Sequence, residues 1–157
     1  EKAEEVRKFI AQGNLENDVR IEVNAEDVVI IPTAPLIFPE GKAAINPRFY
    51  PILDKIAWLL EETDGSLIRI EGHTDTTPIH PRHRRTYPSN WELSAARAVA
   101  IARYLIDTHN ISEQRIATAA YGPSLPKVDP DQPGAAARNR RVEFHISISS
   151  DTVKKED

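Results

Sequence analysis

The sequence predicts an α/β fold: a two-layer sandwich with helices packed on a mixed parallel and antiparallel sheet. An N-terminal helix and hairpin form an extension to it. Three observations lead there. Apolar runs with strand character fall at 19–31, 67–71, 115–121 and 140–148. Two segments of helical period, 47–62 and 90–107, alternate with them, and such spacing calls for crossover connections that lay helices on a sheet. The last strand follows its predecessor with no helical pattern between, so part of the sheet is antiparallel.

Residues 2–12 place Val6, Phe9 and Ile10 on one face and end at Gly13, a short amphipathic helix. Val19, Ile21 and Val23 alternate with charged residues, and the turn 25–27 leads into Val28-Val29-Ile30-Ile31, the pattern of a hairpin. Pro32, Pro35 and Pro39 bring the hairpin to its end. Asn46-Pro47 reads as an N-cap with proline at the first helical position. The next helix aligns Phe49, Ile52, Leu53, Ile56, Leu59 and Leu60, and stops near Asp64-Gly65. Strand 67–71 delivers Gly72-His73-Thr74-Asp75 at its C-terminal end. Helix 90–107, strand 115–121, a proline-rich loop over 122–134 and strand 140–148 complete the order. Residues 150–157 read as a solvated tail.

Bulk properties narrow the field. A chain of 157 residues, 40% hydrophobic, can build one core of ordinary size. Its net charge of −4 offers no global basic field for nucleic acid. No apolar run approaches the roughly 18 residues of a membrane span. Without cysteine the redox compartment stays open, and without methionine, even at position 1, the chain is expected to be part of a longer protein.

The chemistry centres on helix 90–107, with Asn90 as its expected N-cap. With Leu93 at zero on a wheel of about 100° per residue, Ala96, Ala100 and Tyr104 fall within roughly 60°. Arg97 falls inside that stripe, at about 40°, while Glu92, Ala95, Val99, Ala102 and Arg103 take the other side. A guanidinium turned inward needs an anion, because an unpaired buried charge is very costly. Two candidates stand open: Asp75, and a carboxylate from outside the protein. Asp75 accepts from an ammonium and Arg97 offers a planar fork, so together they suit a zwitterion at the carboxyl ends of the strands.

Gly72-His73-Thr74-Asp75, Asn90-Trp91-Glu92-Leu93-Ser94-Ala95-Ala96-Arg97-Ala98, Tyr121-Gly122 and Asn139-Arg140-Arg141-Val142-Glu143 occur in this order. Over about residues 28–148 the chain thereby resembles OmpA-like peptidoglycan-binding domains. Leu36-Ile37-Phe38, read as an entry strand, Thr76-Thr77-Pro78-Ile79 and Ser89-Asn90-Trp91-Glu92-Leu93-Ser94 make it most similar to their MotB-like branch, from the flagellar stator. The resemblance implies an α/β sandwich that binds peptidoglycan without catalysis, metal or cofactor. It assigns the stem's ammonium to Asp75 and its carboxylate to Arg97, with Asn90, Leu93, Thr76 and Arg140 at the same pocket. Two departures stand out. Ala136 occupies a position where many relatives carry arginine, and the loop from Thr76 to Ser89 is long.

That loop carries His80, Arg82, His83, Arg84 and Arg85. Nucleic-acid binding would need a wider basic surface and more stacking aromatics than Tyr87. A metal site of His73, Asp75, His80 and His83 lacks a defined helical spacing. The favoured reading is a solvated basic rim. The best enzymatic alternative is peptidoglycan hydrolysis with His73 and Asp75 as a base pair.

The expected organisation is a linker helix and strand extension at 1–27, the binding domain at 28–149 and the tail at 150–157. By resemblance the domain is periplasmic. The full-length protein would be held in the inner membrane by an N-terminal helix that joins a MotA-like channel subunit. The alternative is a general OmpA- or Pal-type wall anchor outside motility. Trp58, about 180° from Phe49 on its helix, is covered either by the N-terminal helix or by a second chain, and the resemblance favours a homodimer.

Overall fold

The computed structural model describes residues 2–147; the tail expected at 150–157 lies outside them. One sheet runs in the order β1-β2-β5-β3-β4. Its strands are β1 (Val19–Val23), β2 (Asp27–Pro32), β3 (Leu67–His73), β4 (Ile116–Gly122) and β5 (Arg141–Ser147). β3 and β4 are parallel, joined by a helical crossover, and the other three pairings are antiparallel. The mixed α/β sandwich is as expected. The last strand, however, lies between β2 and β3 rather than beside β4. Its inward residues Val142, Phe144 and Ile146 are almost wholly buried, which suits a central place.

The helices are α1 (Lys2–Gln12), α2 (Ala34–Ile37), α3 (Tyr50–Glu62), α4 (Asn90–His109) and α5 (Ala135–Asn139). α3 buries the stripe the sequence displays, Ile52, Leu53, Ile56, Leu59 and Leu60, and Phe49 before it stacks on Phe144 at 6.4 Å. Residues 47–49 form a separate 3-10 turn instead of the helix's first turn. Pro51 explains the break, since its ring would collide with the carbonyl four residues earlier.

α1 lies along α3, tied by Lys2–Glu62 at 3.2 Å and Lys55–Glu5 at 3.9 Å. Ala3, Val6, Ile10 and Val19 belong to the same core cluster as the rest of the chain. Trp58 is partly buried against that cluster, with the Lys55 ammonium 3.8 Å from its ring centre. Its outward face is therefore largely covered from within the chain.

Two local expectations fail. Leu36-Ile37-Phe38 is not a strand: Ala34–Ile37 is one helical turn, started by Pro35 and entered from an extended Thr33. Pairing with β5 ends there, at a single bridge between Thr33 and Arg141. On α4 the buried stripe is Leu93, Ser94, Arg97, Ala98, Ile101, Ala102 and Leu105. It is rotated from the predicted one, so Ala102 faces in while Ala96, Ala100 and Tyr104 are half-buried. The branched Ile101 and Leu105 decide the rotation, because they bury more apolar surface than alanines do. Gly72 lets the helix settle: a Cβ there would stand 2.3 Å from the Ser94 carbonyl oxygen.

Candidate functional site

α4 begins above the C-terminal end of β3. Its N-cap is Ser89, not Asn90: the Ser89 hydroxyl accepts from the Trp91 amide at 3.2 Å and contacts the Glu92 carboxylate at 2.8 Å. Ser-x-x-Glu is the capping-box pattern; here the Glu92 carboxylate accepts from the Ser89 hydroxyl and holds it over the helix end, which gives Ser89 the cap over an asparagine one residue later. Asn90 is thereby freed for another role. Its amide donates to the carbonyls of Thr77 at 3.0 Å and Asp75 at 3.4 Å, which pins the loop after β3 to the helix start.

Arg97 is buried, 7% exposed, as the wheel predicted. Asp75 is not its partner. The Arg97 Nε–H donates to the Lys42 carbonyl at 2.9 Å, Nη2 reaches the Pro39 carbonyl at 3.5 Å, and the guanidinium lies 4.8 Å from the Phe38 ring centre. The 39–42 turn that supplies both carbonyls is tight: Gly41 has φ +69, and the His83 ring stands 2.8 Å from where a Cβ would be. A guanidinium has five N–H donors. Among the described residues no carboxylate forms a salt bridge with Arg97, and its Nη1 has no protein partner yet is not sealed from solvent. Burial pushes its pKa down to about 10; the nearby Tyr87 phenol opposes this, and the Arg140 charge adds to it.

Asp75 is buried and occupied. Its carboxylate accepts from Arg140 Nη1 at 2.9 Å, the Thr77 hydroxyl at 3.0 Å and the Thr77 amide at 3.1 Å. Thr77, rather than the Thr76 assigned by resemblance, is thus the residue that orients it, although both are exposed. Leu93 is buried on α4 one turn before Arg97. The structure therefore gathers Asp75, Asn90, Leu93, Arg97 and Arg140 at one end of the sheet. Its charged centre, Arg97 and Arg140 against Asp75, keeps one positive charge in excess.

The proposed base pair of His73 and Asp75 does not form. The His73 ring lies on the sheet face opposite Ile70 and Phe144, stacks on Tyr121 at 5.0 Å and places Nε2 3.0 Å from Glu71. Nor does a His73, Asp75, His80 and His83 cluster assemble. The metal-capable group among the described residues is Glu71, Glu143 and His145, whose carboxylates already hold Arg69 at 2.7 Å and Arg141 at 2.6 Å.

This ladder, unforeseen from the sequence, had a visible signal in it. β3 carries Arg69-x-Glu71-x-His73 and β5 carries Arg141-x-Glu143-x-His145. Antiparallel pairing sets Glu71 opposite Glu143, Arg69 opposite His145 and His73 opposite Arg141. Burial would raise the Glu143 pKa, but hydrogen bonds from His145 and Arg141 outweigh it and hold the carboxyl at about 2. Glu71 is lowered likewise, against its burial, by Arg69 and His73. The ladder pins the register of the two strands, since a one-residue slip of β5 would turn Arg141, Glu143 and His145 toward the core.

The fold and site together define a two-layer α/β domain in which two guanidinium groups and one carboxylate gather at the carboxyl end of a parallel strand pair. The chain belongs to the OmpA family, whose model matches residues 37–140. Two Bacillus subtilis proteins are each 31% identical: YtxE, over 94% of this chain and 59% of its own, and Motility protein B, over 90% and 53%. The chain thus spans little more than half the length of these relatives. Peptidoglycan-binding protein ArfA of Mycobacterium tuberculosis is 29% identical over 83% of this chain and 36% of its own. Among solved structures, the cell wall anchor of the T6SS from Pseudomonas aeruginosa has a TM-score of 0.78 at 29% identity, covering 92% of this chain and 97% of that one. A MotB-like protein from Desulfovibrio vulgaris shares the fold with a TM-score of 0.83 at 24% identity, over 94% and 90%.

Proposed function

We propose that this domain binds cell-wall peptidoglycan without catalysis and so anchors an envelope protein to the wall. Arg97 carries the reading: a buried cation with no carboxylate partner among the described residues, beside a second guanidinium. A peptide-stem carboxylate has the sign and the planar shape to complete it. The stem's ammonium belongs at Asp75. Arg140 now holds that carboxylate, but its side chain is 40% exposed and free to share Asp75 or swing toward the ligand. Asn90, Leu93 and Thr76 border the same place. The names of the ArfA relative and of the Pseudomonas anchor support this choice of ligand.

The more specific reading is a flagellar stator anchor, supported by the likeness to Motility protein B. In it the domain works in the periplasm as a homodimer. An N-terminal membrane helix of the full-length protein joins a MotA-like channel subunit. Among the described residues no helix is long and apolar enough to cross a membrane. The likeness to the Pseudomonas anchor favours a second reading, a wall anchor outside motility.

Sedimentation with purified peptidoglycan tests the binding. The wild type is expected in the pellet with no release of muropeptides, and Arg97→Ala and Asp75→Asn in the supernatant with unchanged circular dichroism. Wild-type sedimentation by both variants overturns the assignment, and muropeptide release overturns its non-catalytic part.

A further inference from the structure

Trp91 stands beside this site with no part in it so far. It is the second residue of α4 and 48% exposed, unusual for so large an apolar side chain. Gly122 shows how the indole lies. A Cβ on Gly122 would be 3.2 Å from both Cδ2 and Cε2 of Trp91 and 3.3 Å from Cγ. Near-equal distances to atoms spread around the pyrrole ring mean that the ring lies flat over the Gly122 backbone. One face is covered by that backbone and the other is turned outward.

The indole is fixed to the Asp75 loop by two routes. The Gly122 carbonyl accepts from the amide of Thr74, the residue before Asp75, at 2.9 Å. Asn90, the residue before Trp91, donates to the Asp75 and Thr77 carbonyls. On the α4 wheel Arg97 and Trp91 stand about 120° apart, with Asn90 between them. Along the axis the two are six residues apart, about 9 Å, so one extended ligand can reach both.

We infer that the open face of Trp91 is the platform on which a pyranose ring of the wall glycan stacks while the attached peptide stem reaches Arg97. A pyranose presents a face of C–H groups that packs against an aromatic plane and leaves its equatorial hydroxyls in water. An indole already held flat by Gly122 loses little conformational entropy on being covered. A free stem peptide touches only the charged residues, whereas a stem that carries its sugars also touches the indole. The inference rests on the peptidoglycan reading and adds the glycan half of the ligand.

The test compares a free stem peptide with a muropeptide that carries the same stem on its disaccharide. For the wild type, calorimetry is expected to give roughly three- to tenfold tighter binding of the muropeptide. Trp91→Ala should abolish that preference and leave the affinity for the free stem unchanged, while Trp91→Tyr retains most of it. The chain has two tryptophans, so a Trp58→Phe background leaves Trp91 as the sole indole fluorophore. Its emission should shift with the muropeptide and stay still with the free stem. Equal losses for both ligands in Trp91→Ala would show that the indole only supports the fold, and overturn the inference. An undiminished preference overturns it as well. If the wild type binds neither ligand, the peptidoglycan reading falls and the platform with it.

Discussion

Replacing Arg97 with methionine removes a buried charge while keeping an unbranched side chain of similar reach. The pKa of about 10 against an ordinary 12.5 means that holding this guanidinium charged in the fold costs about 3 kcal/mol. Methionine relieves that cost. It forfeits the charged hydrogen bond to the Lys42 carbonyl, about 2 kcal/mol, and the contact with the Phe38 ring, about 1 kcal/mol. These nearly cancel, so Arg97→Met should unfold in urea within about 1 kcal/mol of the wild type. Breaking a buried pair would instead cost roughly 3–5 kcal/mol. Binding should respond differently. Losing charged hydrogen bonds worth about 3 kcal/mol weakens stem-peptide binding about 100-fold. Stem peptide at 100 times the wild-type Kd should stabilise the wild type by about 2.7 kcal/mol and this variant by only about 0.4 kcal/mol. Arg97→Lys keeps the charge without the fork and should bind at least about tenfold more weakly. If Arg97→Met loses more than about 3 kcal/mol in the absence of ligand, or binds the stem as the wild type does, the guanidinium serves the fold and the reasoning is refuted.

The ladder of β3 and β5 should make stability acid-sensitive. Burial lowers the His73 pKa, so the unfolded chain takes up its proton first, and stability declines as pH falls below about 6.5. Glu143 sits at about 2 in the fold, so its contribution is complete above the unfolded value of about 4.3 and is lost as pH falls toward 2. Urea midpoints should drop in those two stages, with Glu143→Gln flattening the lower one; a constant midpoint from pH 7 to 3 contradicts this. The dimer has its own measurement. Light scattering is expected to show a dimer whose mass is unchanged in Trp58→Glu, while that variant melts earlier because Trp58 packs within the chain. A monomeric wild type at high concentration would remove the homodimer from the proposal.

Much of the fold was legible because its causes are local. The stripe of α3 and the alternation of β1 are periodic signals, the apolar run of β2 is a local one, and hydrophobic burial acts on each element before the chain closes on itself. The burial of Arg97 was legible in the same way, four residues after Leu93 on one helix face. Local signals also misled where two of them competed. Ser89 took the cap from Asn90 because the Glu92 carboxylate holds its hydroxyl, and Pro35 turned the expected entry strand into a helical turn.

The sequence by itself determined the α/β class, the core stripe of α3, the inward Arg97 and the cluster of candidate residues around it. Tertiary structure alone decided who meets whom. Arg97 is held by the carbonyl of Lys42, 55 positions away, and a backbone acceptor leaves no trace in residue identity. Asp75 meets Arg140 across 65 positions only because β5 inserts beside β3. The two Arg-x-Glu-x-His runs stand in plain view along the chain, yet periodicity reports only which face a residue takes. Which strand lies opposite is settled by the closing of the whole sheet over one core, where the burial of many side chains is optimised together.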